Sequence, residues 1–227
     1  MLRPNMLRLG IRPLFFAPLL ISVSSVAHTQ EPRVHWHIMG GYSETLGHTA
    51  DYLQGGYLLG GGFSVTPTPR SPLDLRFDLS YSDHNATNQF IDIGQQTTNG
   101  QADSGRGAFW SATGNVVFHI PLNYAARAYG IAGIGAYHAR VELTQTFLFD
   151  GGLFCDPFSG FCEGGFAVGQ TVVASHDVTK FGWNAGIGLE FPLQFGYGPA
   201  WFIEARYHHI STPMPTEYIP IEIGLRY

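Results

Sequence analysis

The chain has 227 residues, a formal net charge of −5, 29 glycines, 14% aromatic residues and only 13% charged residues. This balance argues against nucleic-acid binding, which requires clustered basic residues. The composition describes a β-rich chain, and the length suits one domain after a leader.

The chain opens with a targeting pattern. Arg3, Arg8 and Arg12 precede an apolar run from Leu14 to Val23, and Ser25-Val26-Ala27 supplies a small-x-small cleavage site. Residues 1–27 are therefore expected to be a signal peptide and 28–227 one domain. A membrane-anchoring helix is the alternative, but the run falls short of the roughly 20 residues a span needs. Cleavage after Ala27 removes three arginines and no acid, so the remaining domain is more acidic than the whole chain.

Eight alternating stretches follow. The first sets Val34, Trp36, Ile38 and Tyr42 against His35, His37 and Met39. The second sets Tyr57, Leu59 and Phe63 against Leu58, Gly60, Gly62 and Ser64. In the third, Leu73, Leu75, Phe77, Leu79 and Tyr81 oppose Asp74, Arg76, Asp78, Ser80 and Ser82. The fourth sets Trp110, Val116, Phe118 and Ile120 against Ser111, Thr113, Asn115, Val117 and His119.

In the fifth, Tyr129, Ile131, Tyr137, Val141 and Leu143 form the apolar set, against small residues followed by His138, Arg140 and Glu142. The sixth sets Phe181, Trp183, Ile187, Leu189 and Phe191 against Gly182, Asn184, Gly186, Gly188 and Glu190. The seventh sets Trp201, Ile203, Ala205 and Tyr207 against Phe202, Glu204, Arg206 and His208. The eighth sets Ile219, Ile221, Ile223, Leu225 and Tyr227 against Pro220, Glu222, Gly224 and Arg226. Period two, not 3.6, is the repeated signal, and no amphipathic helix is expected.

The connections alternate in length. Those at 66–72, 121–126 and 192–199 are short and rich in Pro, whereas 83–107 and 144–179 are long, polar loops. The second long loop carries Cys155 and Cys162, the only cysteines. In an exported protein such a pair is expected to form a disulfide, with two free thiols as the alternative. Their spacing and the lack of further ligands exclude a CxxC redox or zinc site. Phe147, Phe149, Phe154, Phe158, Phe161 and Phe166 crowd the same loop, either as a ligand-contacting patch or packed on one another.

Alternation alone does not say which face points out. A soluble sandwich or lipocalin-like barrel would bury the apolar set. That set holds too many large rings for the narrow interior of eight strands, and it carries no charge. Facing lipid, a mid-depth Arg or Lys would cost about 2–4 kcal/mol. Tyr42, Tyr57, Tyr81, Trp110 and Tyr207 would ring one membrane interface and Tyr129, Phe191, Trp201 and Tyr227 the other. The expected fold is all-β: an eight-stranded antiparallel up-and-down transmembrane β-barrel, with short periplasmic turns and extracellular loops at 83–107 and 144–179.

Ala128-Tyr129-Gly130-Ile131-Ala132-Gly133-Ile134-Gly135, the segment 181–190, Phe202-Ile203-Glu204-Ala205-Arg206-Tyr207-His208 and the terminal strand resemble the opacity-protein-like outer-membrane β-barrel family. The resemblance covers the domain but is specific mainly in its second half. It implies location in the bacterial outer membrane and strand architecture rather than chemistry. It also implies that Tyr227 belongs to a C-terminal signal read by the barrel-assembly machinery.

Candidate chemistry is sparse. Asp74, Arg76, Asp78, Glu190, Glu204, Arg206, Glu222 and Arg226 share the interior parity, as do Arg140 and Glu142 by the same count. Opposite charges in a restricted lumen are expected to form a plugging network; an open ion pathway is the sharper alternative. His209, Ser211 and Glu217 share the outward parity, and a His can deprotonate a Ser while a carboxylate orients it. The segment 205–211 is similar to the His-x-Ser region of lipid A 3-O-deacylases, but Thr212-Pro213-Met214 follows where that family has Asn-Ala-Gly. Glu217 also lies closer to the serine than that family's acid does. His35 and His37 lie two apart without an evident third metal ligand. Gly130–Gly135 lacks the βαβ setting of a dinucleotide loop.

The expectation is a monomeric, non-enzymatic outer-membrane barrel without cofactor or metal. Its partners would be outer-membrane lipid and lipopolysaccharide, the assembly machinery, and an extracellular ligand or host surface. A lipid A deacylase-like hydrolase and a conduit for small apolar molecules are the alternatives.

Overall fold

A computed structural model describes residues 33–68, 71–122, 126–155, 162–193 and 199–227, without the side chains of 33, 149–155 and 162–167. The leader expected over 1–27 lies outside these residues. The strands are β1 (Arg33–Leu46), β2 (Leu53–Thr66), β3 (Leu73–Ala86), β4 (Ser104–Pro121), β5 (Arg127–Cys155), β6 (Cys162–Pro192), β7 (Ala200–Ile210) and β8 (Thr216–Arg226). They form a closed barrel in chain order, each antiparallel to its neighbours, with β8 returning to β1. Trp36 and Tyr227 complete the seam by exchanging backbone hydrogen bonds of 3.0 and 2.8 Å. Hydrocarbon offers no partner to an unpaired N–H or C=O, so only a ring without edges can span it.

The outer wall is apolar and unburied. Trp36, Ile38, Leu59, Phe181, Ile187 and Ile223 are exposed, Ile187 to 73%. A continuous apolar band of this kind is the surface a bilayer covers. The alternation read in β1 to β4 and β6 to β8 matches these faces.

In β5 the faces are the reverse of the expectation. Tyr129, Ile131, Tyr137 and Leu143 are buried in the lumen, and Ile134 faces out. Tyr129 is therefore not part of an interfacial belt. From 128 to 137 neither parity of this strand carries a charge, so polarity does not choose a face there. Glycines on β6 decide it: a Cβ on Gly188 would lie 2.2 Å from the Tyr129 ring, and one on Gly182 would lie 2.7 Å from the Tyr137 ring. The lumen is thus hollowed where the tyrosines enter, and their hydroxyls find polar partners there. As a consequence Arg140 points outward, its side chain 58% exposed, beside Glu142, rather than into the lumen.

The connections at one end of the barrel are also more ordered than expected. Helix α1 (Gly47–Tyr52) joins β1 to β2, and α2 (Asn88–Thr97) joins β3 to β4. Thr87 caps α2 by accepting the Phe90 N–H, and Tyr52 packs edge-on against Phe90 at 6.0 Å. Each helix is too short for a 3.6 period to stand out. The segment 144–179 is not a loop: β5 and β6 continue as one hairpin to the pair Cys155–Cys162, with register shifts at Leu143/Thr144 and Asp150/Leu153. The cysteine side chains and those of Phe149, Phe154, Phe158, Phe161 and Phe166 lie outside the described residues. Both helices and the hairpin crown one end of the barrel, and the short connections close the other.

Candidate functional site

The lumen is filled in tiers. Near the short-turn end, Arg226 and Arg127 donate to Glu190 at 2.5 and 2.6 Å, and His119 donates to Asp74 at 2.9 Å. Thr66 adds a 2.7 Å hydrogen bond to the same carboxylate, and Arg226 lies 3.6 Å from it. Next to this tier Met39, Val117, Tyr129, Ile131 and Phe202 pack together. The void bordered by these groups holds about 20 Å³, room for one water.

The mid-barrel tier is a denser network. Asp78 accepts from Arg76 at 2.8 Å, from Arg206 at 2.9 Å, from His37 at 2.6 Å and from Asn115 at 2.9 Å. Glu204 accepts from Arg76 at 2.9 Å, from Tyr129 at 2.8 Å and from Arg206 through a paired contact. All four charged groups are buried. A carboxylate drawn out of water needs such multiple donors, because one pair rarely offsets its desolvation. Phe202 supplies a ring under Arg76, 5.2 Å from its guanidinium carbon. Glu222 is buried opposite Glu204, but its Oε2 has no hydrogen-bond partner among the described residues.

Seven of the eight interior charges read from parity thus divide between two tiers, and the eighth, Glu222, joins neither by an ion pair among the described residues. Sequence reasoning missed His119 and Arg127 as members, and missed Tyr129 because β5 was inverted. No local signal for Tyr129 was available, because its face depends on the register that sets it against Gly188 of β6.

Toward the helix-bearing end an aromatic tier closes the lumen. Leu53, Phe109, Tyr137, Ile210 and Tyr218 form its core. Tyr218 stacks on Phe109 at 5.8 Å and on His208 at 4.7 Å, and the Tyr137 hydroxyl lies 2.9 Å from His208 Nδ1. Above this floor opens a vestibule of about 360 Å³, walled by α1, α2, β5, β6 and the β7–β8 turn. Its lining is mainly apolar, including Phe90, Ile93, Val141, Val178 and Met214, with His48, Thr49, Thr212 and Thr216 as polar points. The volume lies in the range of small-molecule sites.

His209 and Glu217 meet on the outer wall. His209 Nδ1 donates to Glu217 at 3.2 Å, and the Tyr207 hydroxyl donates to the same oxygen at 2.7 Å. The imidazole lies against Trp183 at 5.6 Å. Ser211 follows the end of β7, exposed, its N–H donating to Phe181 C=O at 2.9 Å. No hydrogen bond between Ser211 and His209 occurs among the described residues, whereas an activated serine needs its base within about 3.2 Å. His35 and His37 diverge, His35 Nδ1 lying 3.2 Å from the Tyr227 carbonyl. No group of three or more His, Cys, Asp or Glu able to hold a metal occurs among the described residues.

This geometry is that of a small outer-membrane barrel with a filled lumen. Residues 15–218 match the family described as outer membrane protein beta-barrel domain, and the chain belongs to that family. Among solved structures it is similar to Neisserial surface protein A, at 11% identity and a TM-score of 0.52, covering 87% of this chain and 98% of that one. A major outer membrane protein of Thermus thermophilus gives 10% identity, a TM-score of 0.49, and coverage of 86% and 99%. The Yersinia pestis attachment invasion locus protein, solved with the heparin analogue sucrose octasulfate, gives 13%, 0.44, and 86% and 99%. Comparison with curated protein sequences gives no match. The family places the chain in the bacterial outer membrane.

Proposed function

We propose that this chain acts through its helix-bearing end, as a non-enzymatic outer-membrane barrel that binds an apolar group presented from outside the cell. The observation that carries the reading is the contrast along one axis: a lumen closed by two charged tiers and an aromatic floor, beneath an open apolar vestibule. The short connections lie in the periplasm and the helices and the β5–β6 hairpin outside, the usual arrangement of such barrels. In an oxidising compartment the register pair Cys155–Cys162 forms a disulfide that fixes the hairpin tip.

Planar-bilayer recording tests the closed lumen and a fluorescent apolar probe tests the vestibule. The expected result is no unitary conductance together with saturable probe binding that Ile93→Trp, by filling the vestibule, abolishes. A stable ohmic conductance, or probe binding unchanged in the variant, overturns the proposal. The continuous strand pairing and the 20 Å³ void weigh against the alternative of apolar passage.

One observation favours a second reading. The His209–Glu217 pair is the base-and-orienter half of a hydrolytic site, set on the lipid-facing wall. Lipid A mass after expression in a host lacking deacylases tests it: loss of one acyl chain, removed by His209→Ala, supports hydrolysis, and unchanged lipid A with an inserted barrel rejects it.

A further inference from the structure

The reversal of β5 puts an arginine where none was expected. Arg140 lies on the outer wall, and Arg106 lies beside it on β4. The register ranks the neighbourhood: Leu59, Tyr81, Trp110 and His138 share one level, Asp83, Ala108 and Arg140 lie one step above, and Arg106 and Glu142 one step further. A step of two residues is about 7 Å along a strand. Both guanidinium groups therefore sit just above the Tyr81–Trp110 pair, whose rings lie 4.9 Å apart. That aromatic rank marks the upper boundary of the hydrocarbon, where Arg costs little and lipid phosphates lie.

Two concavities of opposite character meet at these rings. Above them Arg106, Arg140, Glu142 and Ala108 border a polar recess of about 250 Å³. Below them Leu59, Gly60, Gly61 and Leu79 border an open apolar groove. Tyr81 and Trp110 line both. The missing side chain at Gly61, which alone of the two glycines faces outward beside Ile38, is what cuts the groove into an otherwise bulky wall. A cationic recess stacked on an apolar groove, along the membrane normal, has the polarity of a single anionic lipid.

The geometry points to a phosphorylated glycolipid of the outer leaflet, its phosphate at Arg106 and Arg140 and one acyl chain in the groove beneath. The neighbouring carboxylates shape the site rather than cancel it. Arg106 donates through Nε to Asp83 at 2.9 Å and through Nη2 to the Tyr81 hydroxyl at 2.8 Å. Arg140 donates through Nη2 to Glu142 at 2.6 Å. Asp83 is held further by the Tyr57 hydroxyl at 2.8 Å. Each guanidinium has five N–H donors, so these contacts orient the two forks and leave donors for a phosphate. With Arg106 and Arg140 balanced by Asp83 and Glu142, recognition comes from directed donors and the groove, not from bulk charge.

The inference rests on the orientation proposed above, which external proteolysis of the β5–β6 hairpin in intact cells reads separately. Native mass spectrometry of the barrel in neutral detergent, titrated with diphosphoryl lipid A, tests the site itself. Expected is saturable binding of one lipid, weakened about tenfold or more in Arg106→Gln/Arg140→Gln, each removed contact being charge-assisted. Dephosphorylated lipid A should bind as weakly to the wild type as the intact lipid binds to the double variant. Leu79→Trp, which narrows the groove without touching charge, should weaken binding as well. Wild-type affinity in the double variant, indifference to the phosphates, or equal binding of phosphatidylglycerol overturns the proposal. Heat-modifiable gel mobility confirms that each variant is a folded barrel, and Leu79→Trp carries the test should the arginine variant fail to insert.

Discussion

The mid-barrel and the helix-bearing end of the lumen fill the same cylinder by different means. In the middle, four charged side chains from β3 and β7 share donors with His37, Asn115 and Tyr129 from three further strands. At the helix-bearing end, rings from β4, β5 and β8 lie against one another, and only their polar tips are directed. The first arrangement is satisfied only as a whole. The second is a packed layer in which each member contributes its own area. Stability should therefore be brittle in the middle and graded above.

The largest expected effect tests that brittleness. Arg206→Met strips Asp78 and Glu204 of a shared donor and leaves buried negative charge uncompensated. A loss of about 3–5 kcal/mol is expected, read from the urea midpoint for unfolding from lipid vesicles. A loss below about 1 kcal/mol would show that water or His37 replaces the missing donor, and the contrast between the tiers would collapse.

The next effect probes the hollow that admits Tyr129 between the charged tiers. Gly188→Val places atoms where the Tyr129 ring lies and should cost about 1–3 kcal/mol by overpacking. Adding Tyr129→Ala should then recover part of that cost, a coupling that a double-mutant cycle measures. Additive losses would mean that the glycine serves the backbone and not the ring.

This ring also marks where the sequence was and was not legible. In β3 one parity reads Leu, Leu, Phe, Leu, Tyr and the other Asp, Arg, Asp, Ser, Ser, so lumen and lipid are told apart by polarity alone. In β5 both parities are free of charge from 128 to 137, and the choice there depends on which wall is hollow across the strand pair, a non-local fact. The β5–β6 hairpin beyond the membrane was unreadable for a related reason. Over 144–148 and 168–179 side chains of both parities are exposed or half-buried, so nothing imposes alternation there. Of the candidate residues, parity placed Asp74, Arg76, Asp78, Glu204 and Arg206 in the lumen, and it put His209 and Glu217 on one wall. It could not divide the charges into tiers, because distance along the axis depends on register around the whole ring.

A smaller effect tests the graded character of the aromatic tier. Tyr137→Phe keeps the ring against Gly182 and removes only the hydroxyl 2.9 Å from His208. Among the described residues His208 Nε2 lacks a partner, so the imidazole would lose the one side-chain hydrogen bond it makes with them. A cost of about 1 kcal/mol is expected. A cost near that of Arg206→Met would show that the upper tier is as cooperative as the network below it.

The smallest effect settles where the mid-barrel network ends. Glu222 is buried to 2% exposure and sits directly opposite Glu204, yet its Oε2 accepts no hydrogen bond from the described residues. Burying an acceptor without a donor is unfavourable, and a second carboxylate facing Glu204 adds repulsion if both are charged. Glu222→Gln keeps the shape, removes the charge and offers an amide donor toward Glu204. Stability should then be unchanged or rise by less than about 1 kcal/mol. Had Glu222 been a full member, the same substitution would deprive Arg206 of an acceptor and cost as much as breaking any other buried pair. A loss above about 2 kcal/mol would therefore extend the network to β8 and make the seam with β1 part of the charged plug.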